Sequence, residues 1–195
     1  MSYHIYTTDA FVCGGYYNQA SDASVRFFTR EYGMLYGIVK SAREERSKQR
    51  YAIQNFSHVR VSLIRGKSGW RVGSIQEKTN HFYSASTRQK RIAVVSLYRF
   101  LIRYVRGEEQ LYYIFDELEE AFALIVNLDS DEQCKYFLEI VLYRLFTNLG
   151  YIDLSDKKYT FIETGTLKTL SGNDSADVYR YVQKKNSQAH HASQL

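Results

Sequence analysis

Positively charged side chains are concentrated in one short stretch of this sequence, SAREERSKQRYAIQNF, which spans residues 41–56 between two apolar, strand-like segments. The cations in it or just before it are Lys40, Arg43, Arg46, Lys48 and Arg50. Arg26 and Arg30 lie upstream, and Glu44 and Glu45 oppose the cations within the stretch. Several converging cations bind a polyanion, because each phosphate contact releases a condensed counterion. The alternative interpretation is a solvated loop that keeps the chain soluble.

Aromatic side chains lie among these cations. Tyr51 is inside the polar loop and is the best candidate to stack on a nucleobase, whereas Phe56 is better interpreted as a core residue. Tyr32 and Tyr36 are also close to the cations. Cations that follow phosphates, combined with aromatics that stack on bases, are typical of single-strand-binding proteins. The predicted nucleic-acid-binding residues are therefore Arg26, Arg30, Lys40, Arg43, Arg46, Lys48, Arg50 and Tyr51.

No motif in the sequence points to catalysis. The GKSG segment at 66–69 lacks the spacing and the following helix of a P-loop, so it predicts a hairpin turn. Cys13, in an apolar run, predicts a buried thiol, and neither Cys13 nor Cys134 has a partner at metal-ligand spacing. Three carboxylates have no paired histidine and are interpreted as a solvated helix face: Glu117, Glu119 and Glu120. We expect a non-enzymatic protein with no cofactor and no metal.

The elements that must position the cations are strands. Five aromatic or β-branched segments follow one another in the first 80 residues, separated by Gly-rich turns. Gly14 and Gly15 predict a bulge in the first segment. In the fourth, alternation places Val59, Val61 and Leu63 on one face and His58, Arg60 and Ser62 on the other. A small antiparallel barrel of the OB-fold type would remove the edges of such a sheet.

The apolar period changes to that of helices from residue 86 onwards. Segments 86–107, 108–128 and 130–151 each repeat apolar residues at helical spacing, and Ser130 with Gln133 forms a weak capping box. Strands followed by helices predict an α+β chain of two domains joined near residue 80. The expected parts are an OB-fold nucleic-acid-binding domain at 1–80, a helical domain at 81–170, and a short helix with a disordered tail at 171–195. A short hairpin around Gly165 is a further possibility.

Charge is distributed unevenly along the 195 residues. The net charge is +6 over residues 1–80, +4 over 81–109, −8 over 110–156 and +3 over 157–195. A basic first half followed by an acidic block predicts a face for a polyanion and a different second face. The N-terminus lacks the features of a signal peptide, and the apolar runs are too short to span a membrane. Two lone cysteines fit a reducing cytosol, so a cytoplasmic location is expected.

The ordered series of residues from Asp22 to Ser57 resembles the RecO family of bacterial recombination mediators. The similar run is DASVRFFTREYGMLYGIVKSAR, continuing at Arg46-Ser47 and at QNFS, residues 54–57. GWRVGSIQE, at 69–77, is similar to the family's last barrel strand, and FLEIVLYRLFTNLGY, at 137–151, to its final core helix. Ser41 stands where the family usually has Gly. No cysteine follows residue 151, where many members carry a zinc module.

The resemblance implies a five-stranded OB-fold β-barrel followed by an α-helical domain. It implies a mediator that binds single- and double-stranded DNA without ATP, anneals complementary strands and helps to load recombinase on protein-coated single strands. The implied partners are RecR and the single-strand DNA-binding protein, and the implied location is nucleoid-associated. The loop at 41–56 would be a phosphate-contacting arm beside the barrel's ligand face. Two alternatives remain: a protein-interaction module that has lost DNA binding, and an RNA-binding barrel protein.

Overall fold

The structure, a computed structural model, describes residues 4–17, 21–42, 44, 49–153, 159–171 and 175–193. The chain forms two compact units. The first unit comprises Met1–Ser84 and Val94–Asp116, and the second comprises Ala85–Ala93 and Glu117–Leu195. The first unit contains the strands, and the second is helical.

A closed five-stranded barrel forms most of the first unit. Its strands are β1 (Ile5–Tyr17), β2 (Ala23–Thr29), β3 (Gly33–Val39), β4 (Ser57–Gly66) and β5 (Gly69–Asn80). Their order around the barrel is β1-β2-β3-β5-β4, and every pairing is antiparallel except that of β3 with β5. The predicted five-stranded OB-type barrel is confirmed. Closure gives each strand two neighbours, so no strand of the sheet is an open edge strand.

The barrel core is filled by alternate residues of the strands. Val59, Val61 and Leu63 of β4 are fully buried there, which confirms the alternation predicted for the fourth segment. Phe27 of β2 is fully buried in the same core. His58 lies on the opposite face of β4, as the alternation predicts. It is nevertheless only 5% exposed, because its ring packs edge-on against Phe11, with 5.0 Å between the ring centroids.

The predicted bulge is present in β1. Its register against β2 shifts between Val12 and Gly14, and Gly14 has φ +130°, a conformation that side chains rarely adopt. The described pairs between β1 and β4 end at Phe11 and His58, whereas β1 continues alongside β2 as far as Tyr17. The last part of β1 therefore extends past the start of β4.

Short helices and helix ends complete the first unit. The helices α1 (Gln49–Ala52) and α2 (His81–Ser84) flank β4 and β5, and parts of α3 (Arg88–Tyr104) and α4 (Tyr112–Ile125) belong to this unit. Phe115 of α4 stacks on Phe11, with 4.3 Å between centroids and 8° between planes, and also contacts Phe28. These rings cover one outer side of the barrel.

The second unit is built around α5 (Asp131–Asn148), which packs against α8 (Ala176–Ala192). The predicted N-cap of α5 is confirmed, because the Ser130 hydroxyl accepts a hydrogen bond from the Gln133 amide at 3.1 Å. The suggested hairpin around Gly165 is wrong. Two short helices, α6 (Phe161–Thr164) and α7 (Leu167–Leu170), occupy that segment, and their Ile162, Leu167 and Leu170 are buried.

The last helix is longer than the sequence predicts. The polar sequence predicts disorder from residue 186 onwards, yet α8 continues to Ala192. Val178, Val182 and Ala189 recur at helical spacing and are buried, and the Asn186 amide donates to the Glu139 carboxylate at 2.7 Å. The polar composition of this segment obscures its amphipathic pattern in the sequence. Packing against α5 stabilises the helix.

Glu117 corrects a third prediction, because it is not part of a solvated face. The Nε of Arg144 lies 2.5 Å from Oε1 of Glu117, and both side chains are largely buried. The same guanidinium donates to the carbonyl oxygens of Ile162 and Gly165. Burial raises the pKa of Glu117, while Arg144 opposes that rise. The pair ties α4, α5 and α6 of the second unit together.

Candidate nucleic-acid interface

The barrel presents an open outer face on β2, β3 and β5. Residues directly opposite one another on neighbouring strands share a face. Arg26 of β2 lies opposite Tyr36 of β3, and Ser24 lies opposite Ile38, which is in turn beside Arg71 of β5. The alternate residues of these strands point into the core. We call the outward-pointing set the open face: Ser24, Arg26, Tyr36, Ile38 and Arg71.

Arg26 and Tyr36 form the centre of the open face. The Nε of Arg26 donates to the Tyr36 hydroxyl at 2.7 Å, its Nη2 donates to the same oxygen, and the guanidinium carbon lies 5.0 Å from the ring centroid. Tyr36 is 47% exposed. Within the described part of the chain, Arg26 forms no ion pair, so its charge is not neutralised by a carboxylate. The pair presents a cation and an aromatic surface side by side, as binding to phosphate and base requires.

Lys40 is held at the start of the basic loop. Its Nζ lies 2.6 Å from Oδ2 of Asp22, and the Ser41 amide donates to the other carboxylate oxygen at 3.0 Å. The hydrogen bond from Lys40 lowers the pKa of Asp22 most. The bond from Ser41 lowers it further, and Arg71 adds a smaller effect in the same direction. Lys40 remains half-exposed but shares its charge with Asp22. Lys40 therefore orients the start of the loop through Asp22, in addition to presenting a positive charge.

Arg30 lies at the opposite end of β2 from Lys40. Its Nε and Nη2 donate to the two carboxylate oxygens of Asp116, at 2.7 and 2.9 Å. A strand rises about 3.3 Å per residue, so the ends of β2 lie roughly 20 Å apart. The structure therefore does not bring Arg30 together with Lys40, and a carboxylate occupies its guanidinium fork.

The remaining predicted residues belong to the loop itself. Arg43, Arg46 and Lys48 lie outside the described residues. Arg50 and Tyr51 are on α1, where Arg50 is exposed and Tyr51 is 63% exposed. The exposure of Tyr51 agrees with a stacking role, which stays a prediction.

Cations at the Arg30 end of the barrel have carboxylate partners. Arg65 pairs with Glu108 at 3.2 Å, and Lys78 and Arg60 both pair with Asp9, at 3.0 and 3.4 Å. These contacts neutralise positive charge on that side of the first unit. Arg26 of the open face has no such carboxylate partner within the described part of the chain, and its guanidinium donates to Tyr36 instead.

A cavity of about 410 Å³ lies at that loop end of the barrel. The aromatic residues that line it are Tyr16, Tyr17, Phe56, Phe82 and Tyr83. We call it the aromatic cavity. Sequence reasoning missed it, and missed Arg71 of the open face, because both depend on which strands become neighbours. Tyr16 and Tyr83 are 67 positions apart and meet only through the pairing of β1, β4 and β5.

The family model "Recombination protein O N terminal" matches residues 1–79 of the chain. Over these residues the chain is similar to the N-terminal domain of RecO proteins. The match covers the barrel up to the penultimate residue of β5, and it supports a role in recombinational repair. The resemblance of 137–151 to the final core helix of RecO lies outside the match and stays a prediction. No curated protein matches the chain.

Further observations concern all of the described residues, inside and outside the matched range. Among the described residues, no helix is both long enough and apolar enough to cross a membrane. In the same described ranges, no group of three or more His, Cys, Asp or Glu side chains is arranged to hold a metal ion.

The buried Cys13 thiol, predicted from its apolar run, has a pKa raised by burial to about 12.

Proposed function

We propose that this protein is a DNA-binding recombination mediator of the RecO type. It binds single- and double-stranded DNA, anneals complementary strands without ATP and, with RecR and the single-strand DNA-binding protein, helps to load recombinase on protein-coated single strands. The observation that supports this function best is a RecO N-terminal barrel whose open face carries Arg26 and Arg71 around an exposed Tyr36.

An open face of this kind meets the physical requirements of strand annealing. Two strands approach each other only when their phosphate repulsion is screened, and they pair only when their base edges remain accessible. Cations on the barrel surface contact phosphates without reading sequence, and exposed rings hold bases by their faces. In this proposal Arg26, Arg71, Arg50 and the loop residues Arg43, Arg46 and Lys48 contact phosphates, Tyr36 and Tyr51 stack, and Lys40 orients the loop. Arg30 contributes least.

Fluorescence anisotropy of a labelled single-stranded oligonucleotide across a salt series tests the proposal. The native chain is compared with a variant in which Arg43, Arg46, Lys48 and Arg50 are all changed to Glu. The matched control changes four exposed cations of the second unit to Glu: Lys135, Lys168, Arg180 and Lys184. Both variants shift the net charge equally, so a loss confined to the loop variant reports local contacts rather than net charge.

The expected result is salt-sensitive binding that the loop variant loses and the control variant keeps. Each phosphate that the protein no longer neutralises reduces the slope of log affinity against log salt by about 0.7 for single strands. Annealing of complementary labelled strands should fall in parallel. Affinity that is flat across the salt series would contradict the proposal. Absence of DNA binding would favour the protein-interaction module, and preference for RNA of equal length would favour the RNA-binding barrel.

A further inference from the structure

The aromatic cavity is a built feature of the barrel end. Because β1 extends past the start of β4, the gap beside its last residues is closed by the turn at 53–56 and by α2 instead of by a strand. The Phe56 amide donates to the Val12 carbonyl at 3.0 Å, and the Phe56 carbonyl accepts from the His81 amide at 3.0 Å. Two backbone hydrogen bonds thus hold the wall in place on both sides of Phe56.

Phe56 adopts an unusual backbone conformation in this wall. Its φ of +73° lies in the left-handed region, which is uncommon for a bulky residue. Its ring stacks on Phe82, with 5.4 Å between centroids and 25° between planes. Such strained conformations persist where the surrounding structure imposes them, and they cluster at ligand-binding sites. Here the strain positions an aromatic ring pair along the cavity.

The rim of the cavity is aromatic and accessible. Tyr83 is 71% exposed and Tyr16 is 63% exposed, and both line the cavity. Isolated exposed tyrosines are common on protein surfaces, but two that border the same concave site are available to hold a flat ring between them. The cavity volume lies within the range of about 300–1,000 Å³ that is typical of small-molecule sites, which suits one nucleoside-sized group and excludes a duplex.

The polar groups of the cavity divide into two kinds. The Asn80 amide is committed to the fold, because its nitrogen donates to the Asn55 carbonyl and to Ser57, and its oxygen accepts from the Phe82 and Tyr83 amides. Gln54 and Asn55, by contrast, have exposed side chains. An amide both donates and accepts, so these two can bond to the edge of any base without selecting one.

The positive charge near the cavity indicates the class of ligand that binds there. Ile53 lines the cavity and follows α1 directly, so the exposed Arg50 and Tyr51 are within three residues of the cavity lining along the chain. Tyr16 also lies opposite Ser24, and is therefore next to the open face. A ligand that enters the cavity while following these cations combines a flat aromatic group with a polyanionic backbone, which describes single-stranded nucleic acid.

We propose that the aromatic cavity accepts one unstacked nucleobase of a DNA single strand, held between Tyr16 and Tyr83, while the flanking phosphates lie along α1 and the open face. This inference rests on the proposed function, since it assumes that the barrel binds DNA. It adds a preference for single strands over duplex, because a paired base must be unstacked before it enters the cavity.

The test compares two probes of equal length: an oligothymidylate and a fully abasic oligodeoxyribose phosphate. Both carry the same phosphates, but only the first has bases. The variants are Tyr16→Ala with Tyr83→Ala, the same pair changed to Phe, and Tyr112→Ala as a matched control at an exposed tyrosine of α4. Because all three positions are exposed, the substitutions remove little buried surface, and thermal unfolding checks that each variant folds.

The native chain should bind oligothymidylate more tightly than the abasic probe. The double Ala variant should lose roughly 5- to 100-fold in affinity for oligothymidylate, as expected when base stacking is removed, with its affinity for the abasic probe unchanged. The Phe variant, which keeps both rings, and Tyr112→Ala should bind like the native chain.

Equal binding of both probes by the native chain would overturn this inference alone, and so would a double Ala variant that keeps its affinity for oligothymidylate. Equal loss on both probes would also overturn it, because the tyrosines would then act on the backbone. Failure of the native chain to bind either probe would overturn the proposed DNA binding itself.

Discussion

Arg30 and Asp116, 86 positions apart in the chain, form an ion pair in which both carboxylate oxygens are occupied, at 2.7 and 2.9 Å. Both side chains are half-exposed. The pair belongs to the first compact unit and joins the end of β2 to the start of α4. Its geometry gives Arg30 a structural role, and the DNA contact of Arg30 stays a prediction.

Arg30→Gln should therefore destabilise the protein slightly and leave DNA affinity nearly unchanged. An exposed ion pair of this kind contributes about 0.5–1 kcal/mol, which urea unfolding resolves. Arg26→Gln provides the comparison, because Arg26 lies on the open face and should lose several-fold in affinity by anisotropy. Equal losses of affinity in the two variants would show that Arg30 also contacts DNA.

Ser41→Gly should stabilise the protein. Ser41 has φ +50°, in the left-handed region, which costs a residue with a Cβ roughly 1–2 kcal/mol, partly offset by the greater chain entropy of Gly. A net gain of about 0.5–1 kcal/mol in the free energy of unfolding is expected. Ser41→Ala keeps the Cβ and serves as the control, with no gain expected. The sequence resemblance pointed to the same position, since RecO proteins usually have Gly there.

Acid should destabilise the first unit through two buried histidines. Burial lowers the pKa of His58 to about 4 and that of His81 to about 3, from an ordinary value of 6.5. The unfolded chain therefore takes up protons below pH 6.5 that the folded chain rejects. The free energy of unfolding should be constant above about pH 7 and fall by about 2 kcal/mol or more between pH 6.5 and 4.

Urea unfolding across this pH range measures the effect of the two histidines. His81→Gln should flatten the acid limb, because it removes one of the two groups. An acid limb of the same steepness in His81→Gln would attribute the loss to other groups.

Arg144→Met should strongly destabilise the second unit. It leaves the buried Glu117 carboxylate without its partner and removes the donor to the carbonyls of Ile162 and Gly165. Breaking a buried pair from one side costs about 3–5 kcal/mol. The double variant Glu117→Leu with Arg144→Met should recover part of this loss, since it removes the uncompensated charge. Limited proteolysis and thermal unfolding would detect both changes, and a neutral Arg144→Met would contradict the buried pair.

Features that depend on local backbone geometry could be predicted from the amino-acid sequence. The alternation of Val59, Val61 and Leu63 predicts a buried face because successive side chains of a strand point in opposite directions. Gly14 predicts a bulge because few other residues adopt its φ. The cap at Ser130 follows from a hydrogen bond that spans three residues. The basic loop, too, can be identified from adjacent residues, and with it the resemblance to RecO.

Contacts between distant residues became known only from the folded chain. Whether a cation faces solvent or a carboxylate depends on chain closure, so the sequence assigns Arg30 to DNA although Asp116 occupies its fork. Arg71 reaches the open face only through the parallel pairing of β3 with β5, and Tyr16 and Tyr83 share a cavity only because β1 extends past β4. A local sequence pattern specifies the direction of a side chain, but its partner is set by contacts that form when the whole chain folds.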